Sequence, residues 1–294
     1  MTESKYPEVE KMYFSLQTPE LELRLRLEDL NKIRIHEEVI PKMLEELVEA
    51  IKSDKIAKHP ILVDLDTLVA LDGMHRIAAF EKLGFKYIPV CMVDYKSPKI
   101  KVGCWYRVIK GKFDAEETLN ALENLGLEVE KSSVEEVLNA LALRHTTAAF
   151  RTKNSCYALK SDAREIREIY NWVGEIEKTL RISGLKISYE TEADSENMLT
   201  RKEADAVLMM PAVKKEEVIE AGISGNVFAH KTTRHVVPAR PMHVDVPIEW
   251  LEEGDLIDIN EKLVKYLSQR KVQRLPPGSL YESRRYEEEL WIFE

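Results

Sequence analysis

Residues 69–76 place an acid, a glycine and two basic side chains where an apolar strand is predicted to give way to a helix. The run reads Val-Ala-Leu-Asp72-Gly73-Met74-His75-Arg76. The first turn of a helix presents backbone N–H groups and partial positive charge, Gly73 lets an anion approach the backbone, and His75 and Arg76 add donors. The pattern predicts a phosphate site with the Asp72 carboxylate at its rim. The spacing also fits a simpler interpretation, in which Asp72 caps the helix.

Two further segments carry groups suited to chemistry. His36-Glu37-Glu38 lies where a strand is predicted to give way to a helix, so its glutamates either complement the helix dipole or include a general base. Residues 231–235, Lys-Thr-Thr-Arg-His, are consecutive polar groups in which the arginine can grip a carboxylate. A solvated loop is the alternative for that segment. Trp105 either floors a pocket or fills a core.

Length and composition exclude several classes of protein. The 294 residues suffice for two domains, and 44% apolar with 32% charged residues is typical of a globular protein. The net charge of −9 argues against a nucleic-acid surface. Lys and Glu dominate the charged residues and Gln occurs only at 17, 269 and 273, a bias that indicates a thermophile.

The cysteines and the chain's apolar segments indicate a cytoplasmic protein. Cys91, Cys104 and Cys156 are too few and too scattered for a disulfide framework or a zinc site, so buried thiols are expected. Residues 1–6 contain no apolar signal core, and no segment reaches membrane-spanning length. We therefore expect no membrane partner.

Periodicity predicts the elements that position these groups. Residues 1–97 read as a small α/β domain, with strands over 21–29, 60–64, 67–71 and 87–94, a helix around 43–51, and a motif helix that ends at Gly84. Residues 98–254 read as a second, mixed α/β domain, and residues 255–294 as an extension of unknown role with a helix over 259–269. Within the second domain the predictions are a strand over 102–110, a helix over 115–125, a hairpin over 145–160, a helix over 165–182, strands over 185–189 and 206–210, a short helix from 214 to Gly222, and a polar loop over 225–238.

Several common motifs are missing from the sequence. It has no Gly-x-x-x-x-Gly-Lys-Ser/Thr phosphate loop, no Gly-x-Gly-x-x-Gly after a strand, and no serine nucleophile elbow. His235, His243 and Asp245 lack a metalloprotease spacing, so no metal-ligand set is predicted from them.

The order of strand, His-Glu, helix, Pro-Ile-Leu-Val, Asp-Gly-x-His-Arg, helix and strand resembles the ParB/sulfiredoxin-like fold. Sulfiredoxins place a reactive cysteine in the Gly-x-His-Arg turn, where this chain has Met74, so that chemistry is excluded. ParB partition proteins would bring a helix-turn-helix module and a basic surface, and the sequence shows neither.

The sequence is more similar to the archaeal free serine kinase family, over roughly residues 20–251. The shared motifs are Ile35-His-Glu37, Leu71-Asp-Gly-x-His-Arg76, Val93-Asp-Tyr95, Lys101-Val-x-x-Trp-Tyr106 and His230-Lys-Thr-Thr-Arg-His-Val237. Family members usually have histidine where this chain has Met74, a change that leaves the backbone N–H groups of the turn in place.

This resemblance implies a set of roles in an active site between two α/β domains. Glu37 is the general base for the serine hydroxyl, and Asp72 orients the reacting groups or a water bound to Mg²⁺. His75 and Arg76 steady transition-state charge. The implied contacts to the phosphates of the donor are Gly73, Met74, His75 and Arg76, with Lys58 and His59 as further nucleotide contacts. The implied serine pocket consists of Trp105, Thr232, Thr233, Arg234 and His235.

The implied reaction is phosphorylation of free L-serine to O-phospho-L-serine, for cysteine or serine metabolism, by a monomer or homodimer. Either ATP or ADP is admitted as the donor, and ATP is slightly favoured. Two alternatives stay open. The protein could be a ParB-like nucleotide-binding or DNA-associated protein that transfers no phosphoryl group, or a kinase for threonine or homoserine, because one methyl group changes binding by only about 1–3 kcal/mol.

Overall fold

The structure, a computed structural model, describes residues 12–111, 113–282 and 284–294. These residues divide into two units. The first contains the chain up to Lys101 together with Lys215–His230 and His235–Glu294, and the second contains Val102–Lys214 and Lys231–Arg234. Residues 1–6, where the sequence has no apolar signal core, lie outside the described residues.

Polar N-cap residues open several of the helices; Asp114, Ser133, Thr191 and Asp255 each accept a backbone N–H of the first turn. The helices in the described residues are α1 (Pro41–Asp54), α2 (Met74–Leu83), α3 (Ala115–Asn124), α4 (Val134–Ala142), α5 (Ile166–Ile182), α6 (Glu192–Thr200), α7 (Lys215–Ser224) and α8 (Leu256–Ser268).

The strands in the described residues are β1 (Phe14–Gln17), β2 (Glu22–Asp29), β3 (Ile56–Ala57), β4 (Ile61–Asp64), β5 (Ala70–Asp72), β6 (Tyr87–Val93), β7 (Lys101–Gly103), β8 (Tyr106–Lys110), β9 (Glu128–Ser132), β10 (Ala148–Thr152), β11 (Cys156–Lys160), β12 (Lys186–Glu190), β13 (Ala206–Met209), β14 (Arg234–Val236), β15 (Ala239–Met242), β16 (Val246–Pro247), β17 (Val272–Leu275), β18 (Leu280–Tyr281), β19 (Arg284–Arg285) and β20 (Glu289–Phe293).

A five-stranded sheet of order β1-β2-β6-β4-β5 forms the core of the first unit. Every residue of β6 is buried, which accounts for the unbroken apolar run in the sequence. β4 runs parallel to β6 and β5 runs antiparallel to β4, so the chain reaches Asp72 at the edge of the sheet. α2 follows at once, buries Ile77 and Phe80, and ends as predicted at Gly84, which has φ +75°.

The C-terminal segment, residues 255–294, is part of the first unit. The side chain of Asn260 on α8 is fully buried; it accepts the Leu27 N–H at 2.7 Å and donates to the Leu27 carbonyl at 3.0 Å. One amide therefore satisfies both backbone groups of a residue in β2. The segment also forms a sheet of order β15-β20-β17, in which β20 runs parallel to β15.

A six-stranded antiparallel sheet of order β12-β8-β13-β10-β11-β9 forms the core of the second unit. The hairpin predicted over residues 145–160 is confirmed as β10 and β11. α5 confirms the predicted long helix, because its buried residues recur at helical spacing along one face. The prediction of an α/β protein with two units is thus confirmed.

Tertiary contacts change three local predictions. The predicted strand over 102–110 is wrong as a single element, since β7 ends at Gly103 and β8 begins at Tyr106. Between them the Cys104 N–H donates to Glu192 Oε1 at 3.2 Å, so it is withdrawn from a strand ladder. The predicted loop over 225–238 contains β14, and α7 continues two residues past Gly222, to Ser224.

The division into units differs from the predicted boundaries at residues 97 and 254. Residues 215–230 return to the first unit, where Gly222 of α7 packs so closely that a Cβ would lie 2.7 Å from both Val69 methyl carbons. The Phe228 N–H then donates a hydrogen bond to the His36 carbonyl at 2.8 Å. A chain that leaves a unit and re-enters it carries no composition shift at the crossing, so the sequence offers no signal of it.

Among the described residues, no helix is both long enough and apolar enough to cross a membrane.

Candidate active site

The turn between β5 and α2 is built as a helix N-terminus opened by glycine. Gly73 is the N-cap residue, with φ +102° and ψ 22°, and no side chain caps the helix. The interpretation of Asp72 as a capping residue is therefore wrong. The Arg76 N–H donates to the Gly73 carbonyl at 2.8 Å. The start of a helix presents N–H groups and partial positive charge, which makes this turn suited to an anion.

The Asp72 carboxylate is held by two arginines instead. Its Oδ2 accepts from Arg76 Nη2 at 2.7 Å and from Arg240 Nη1 at 2.8 Å. Arg76 Nη1 also donates to the carbonyls of Pro60 at 2.8 Å and His59 at 3.2 Å. Burial lowers the pKa of Arg76, and the Asp72 charge opposes that shift. In this structure, Arg76 thus secures the turn through its contacts with protein atoms.

Glu37 lies outside the helix that it was predicted to begin. α1 starts at Pro41, its N-cap residue is Ile40, and its first turn contains no acid. The interpretation of Glu37 as a residue that complements the dipole is wrong for this reason. Glu37 instead forms an isolated bridge with Phe228, and its side chain is only 6% exposed. A buried carboxylate near a turn suited to an anion is suited to proton transfer.

Two hydrogen bonds hold the segment around Glu37 against the turn. His36 Nδ1 lies 2.6 Å from the Ala70 carbonyl, two residues before Asp72. The Ile40 N–H donates to His75 Nε2 at 2.9 Å. Glu37 is therefore bracketed by contacts to both sides of the turn. Because His75 Nε2 accepts, a neutral His75 ring carries its proton on Nδ1.

The stability of the protein is expected to fall as the pH is lowered from 6.5 towards 4. Burial lowers the pKa of His36 from 6.5 to about 4. Within this window the unfolded chain binds a proton that the folded chain excludes, so the free energy of unfolding decreases by up to about 1.4 kcal/mol per pH unit from this group. Urea unfolding at several pH values measures the slope. Because buried His59 and His235 also have lowered pKa values, His36→Gln should reduce the slope without removing it, and exposed His145→Gln should not reduce it; equal slopes in both variants would contradict the assignment to His36.

His235, predicted to contact serine, lies in the first unit and is buried. Its Nε2 is 2.8 Å from the Tyr95 hydroxyl, and its ring meets His36 edge-on at 5.4 Å between centroids. Burial and the neighbouring His36 lower the pKa of His235 well below its usual value. The neutral His235 ring therefore packs against His36 and supports the segment that contains Glu37.

Lys58 and His59, predicted to contact the nucleotide, already have protein partners. Lys58 Nζ is 2.5 Å from Asp54 Oδ2, in an exposed ion pair. The His59 carbonyl accepts from Arg76, and its Nδ1 accepts the His243 N–H at 3.1 Å. His59 therefore adjoins the turn through its backbone.

His59, His243 and Glu282 bring one ligand-type atom each within 4.8 Å of one another, close enough to hold a metal ion. Burial and the charge of Arg76 lower the pKa of His59 to about 3, so its ring is neutral near pH 7. Since His59 Nδ1 accepts a backbone N–H, the ring proton lies on Nε2, the atom that would have to bind the metal. The group is therefore described better as a hydrogen-bonded cluster than as a metal site.

The other predicted serine contacts lie in the second unit. Trp105 is half-buried; its Nε1 donates to the Thr233 carbonyl at 3.0 Å, and Lys231 Nζ lies 4.3 Å from its ring centroid. Thr232 and Thr233 are buried, and the Thr232 carbonyl accepts from the Tyr170 hydroxyl at 3.2 Å. The interpretation of residues 231–235 as a solvated loop is wrong for this buried threonine pair.

Arg234, predicted to bind the substrate carboxylate, forms an ion pair with Glu192 in the first turn of α6. The Arg234 guanidinium therefore already binds one carboxylate, which belongs to the protein. Glu192 and Arg240 are the contacts that sequence reasoning missed. Arg240 is 168 residues from its partner Asp72, and neither Glu192 nor Arg240 stands in a motif, so the sequence contains no signal for them.

No family model matches the sequence. The chain is 32% identical over 228 residues to the ADP-dependent L-serine kinase of Thermococcus kodakarensis, a match that covers 76% of this chain and 91% of that protein. It is 28% identical over 232 residues to the ATP-dependent L-serine kinase of Staphylothermus marinus, with 76% and 90% covered.

The fold of this chain is also similar to that of a solved structure. The chain matches a free serine kinase in complex with AMP with a TM-score of 0.63 and 30% identity, over 77% of this chain and 93% of that one. The likeness thus includes nearly the whole length of each of these relatives.

Proposed function

This chain belongs to the free L-serine kinase family, and from that membership we propose that it transfers a phosphoryl group from ADP or ATP to the hydroxyl of free L-serine. The products are O-phospho-L-serine and AMP or ADP. The protein acts on these small molecules as a monomer or homodimer, without nucleic acid. Its net charge of −9 supports the last point.

The observation that carries the proposal is the bracketing of Glu37 by the phosphate-binding turn. The bonds from His36 to Ala70 and from Ile40 to His75 fix the segment on both sides of Glu37. A general base must lie within reach of the hydroxyl whose proton it takes. The hydrogen-bond donors that hold the transferred phosphate must lie close to that same hydroxyl. These two requirements are served here by adjoining parts of one unit.

In the proposed reaction Glu37 accepts the proton of the serine hydroxyl. The serine oxygen then forms a bond to the terminal phosphorus, and the bond from that phosphorus to the bridging oxygen of the nucleotide breaks. The backbone N–H groups after Gly73 hold the phosphates, with His75 Nδ1 as a further donor. Catalysis of this kind rests mainly on position and on electrostatic stabilisation of the equatorial oxygens.

The acids of the site suit a magnesium ion. Mg²⁺ usually takes one or two carboxylates from the protein and its other oxygens from substrate phosphates and water. Asp72 would hold such an ion through its water. When bound, Mg²⁺ neutralises phosphate charge. The two arginines that donate to Asp72 Oδ2 fix the orientation of that carboxylate.

Arg234 is assigned to the serine carboxylate. A guanidinium has five N–H donors in a planar fork, so pairing with Glu192 is compatible with a second carboxylate. Trp105 and Thr233 lie beside it in the second unit through the bond from Nε1 to the Thr233 carbonyl. These residues supply the acceptor contacts of the proposal.

Arg234→Ala is expected to raise the KM for serine by about 10- to 100-fold, the cost of losing a hydrogen bond to a charged group. The KM for the nucleotide should stay unchanged. Steady-state kinetics with each substrate varied in turn measure both values. Arg151→Ala, which removes a guanidinium paired with Glu196 in the same unit, is the matched control. An unchanged serine KM in Arg234→Ala would move the carboxylate site elsewhere.

A further inference from the structure

The C-terminal segment, residues 255–294, reaches the turn that contains Asp72. Its last strand, β20, pairs in parallel with β15, with Arg240 opposite Leu290. Glu288, directly before β20, is 6% exposed. Its Oε1 accepts from Arg240 Nε at 2.6 Å, and Arg240 Nη1 donates to Asp72 Oδ2 at 2.8 Å. A continuous chain of charge-assisted hydrogen bonds therefore runs from the C-terminal segment to the motif acid.

The charges along this series of hydrogen bonds alternate, with one positive side chain between two negative ones. Arg240 lies between two carboxylates, and its side chain is 12% exposed. Although burial lowers its pKa, Asp72 and Glu288 together raise the pKa of Arg240 above its usual value. A buried guanidinium with one carboxylate on Nε and another on Nη1 has little freedom to turn.

The two arginines hold Asp72 from different parts of the first unit. Arg76 comes from α2 and is tied to the carbonyls of His59 and Pro60 before β4. Arg240 comes from β15 and is tied to Glu288. Both bonds end on Oδ2, so together they fix the direction of the carboxylate, which a single flexible contact would leave open to rotation.

We propose that Glu288 and Arg240 are positioning residues that orient Asp72 for phosphoryl transfer, so that the C-terminal segment is a working part of the active unit. This inference rests on the proposed kinase function. Neither residue touches substrate in the proposal; each acts through Asp72.

The double variant Arg240→Met/Glu288→Leu tests the inference. Replacing a buried ion pair with apolar side chains of similar volume is often neutral for stability. We expect the melting temperature and nucleotide binding to be retained, while kcat falls by about 10- to 100-fold, as is typical when a hydrogen-bonded partner behind an active-site group is lost. Glu289→Gln is the matched control, because Glu289 is the next residue along the chain and pairs with Arg274 instead.

A kcat of the double variant within about twofold of the wild-type value would overturn the inference, since a lost orienting contact costs more than that. If the double variant does not fold, Arg240→Lys replaces it, because a lysine keeps the positive charge but lacks the planar fork that bonds to Asp72 and Glu288 together. A wild-type kcat in Arg240→Lys would likewise overturn the inference.

A crystal structure of the double variant separates this inference from the proposed function. If the wild-type protein forms no phosphoserine, the kinase proposal fails. The positioning inference is then judged by the Asp72 carboxylate, which should be rotated in the double variant. An Asp72 side chain in its wild-type orientation would contradict the inference, whatever reaction the protein catalyses.

Discussion

Replacing Glu37 with glutamine is expected to lower kcat by about 10²- to 10⁴-fold, the contribution typical of a positioned general base. Glutamine has nearly the same shape but cannot accept a proton at neutral pH. The hydrogen bonds that hold the segment belong to His36 and Ile40, so the fold around Glu37 should persist. Nucleotide affinity, measured by calorimetry, should therefore match that of the wild type.

Glu38→Gln is the matched control for this experiment. Glu38 is the neighbouring acid and is exposed, whereas Glu37 is buried. Its backbone N–H bonds to Phe228, and that contact survives a change of side chain. We expect wild-type turnover in Glu38→Gln. A near-normal kcat in Glu37→Gln would remove Glu37 as the base, and an equal loss in both variants would point to a general charge effect.

Gly73→Ala is expected to destabilise the protein and to weaken nucleotide binding together. Gly73 has φ +102°, a conformation that costs an L-residue about 1–2 kcal/mol. An added Cβ would also lie 2.5 Å from Ile61 Cγ2. Overpacking of this kind typically costs about 1–3 kcal/mol more and forces the backbone to shift. Because the phosphate donors of the proposal are the backbone N–H groups of this turn, the nucleotide dissociation constant should rise.

Gly84→Ala provides the comparison at the other end of α2. Gly84 also has a positive φ, +75°, but a Cβ there would meet nothing within 4 Å. Its cost is limited to the backbone conformation, about 1–2 kcal/mol, with nucleotide affinity unchanged. Urea unfolding and calorimetry on both variants measure the two effects. Equal losses of nucleotide affinity in the two variants would contradict a special role for the Gly73 turn.

Local patterns in the sequence predicted much of the fold. The unbroken apolar run over residues 87–94 and the alternation over 145–160 became β6 and the β10–β11 hairpin because each is determined by its own side chains. Gly84 ends α2 for the same local reason. Where one tertiary contact decides the outcome, as at Cys104 and its bond to Glu192, periodicity predicted a continuous strand that does not form.

The candidate site divides in the same way. Asp72, Gly73 and His75 stand in one motif, so their residue types and spacing can be recognised in the sequence alone. The capping interpretation of Asp72 is excluded only by the three-dimensional contacts of its carboxylate, and its partner Arg240 lies 168 residues away. The predicted roles of the site residues stay predictions until the variants are measured.

The role of the C-terminal segment could not be inferred from sequence for a related reason. Glu288 lies in no recognisable motif, and it reaches Arg240 only because β20 pairs with β15. The polar composition of residues 270–289 resembles that of an ordinary surface. Long-range pairing of this kind depends on packing that no local pattern encodes.

Product analysis tests the central claim most directly. The protein is incubated with L-serine, Mg²⁺ and either ADP or ATP, and both products are identified by ³¹P NMR and mass spectrometry, with threonine and homoserine as competing acceptors. We expect O-phospho-L-serine together with AMP from ADP or ADP from ATP, in equal amounts, and product formation slowed by about 10²- to 10⁴-fold in Glu37→Gln. Nucleotide that binds without forming phosphoserine, or hydrolysis that does not depend on serine, would contradict the account.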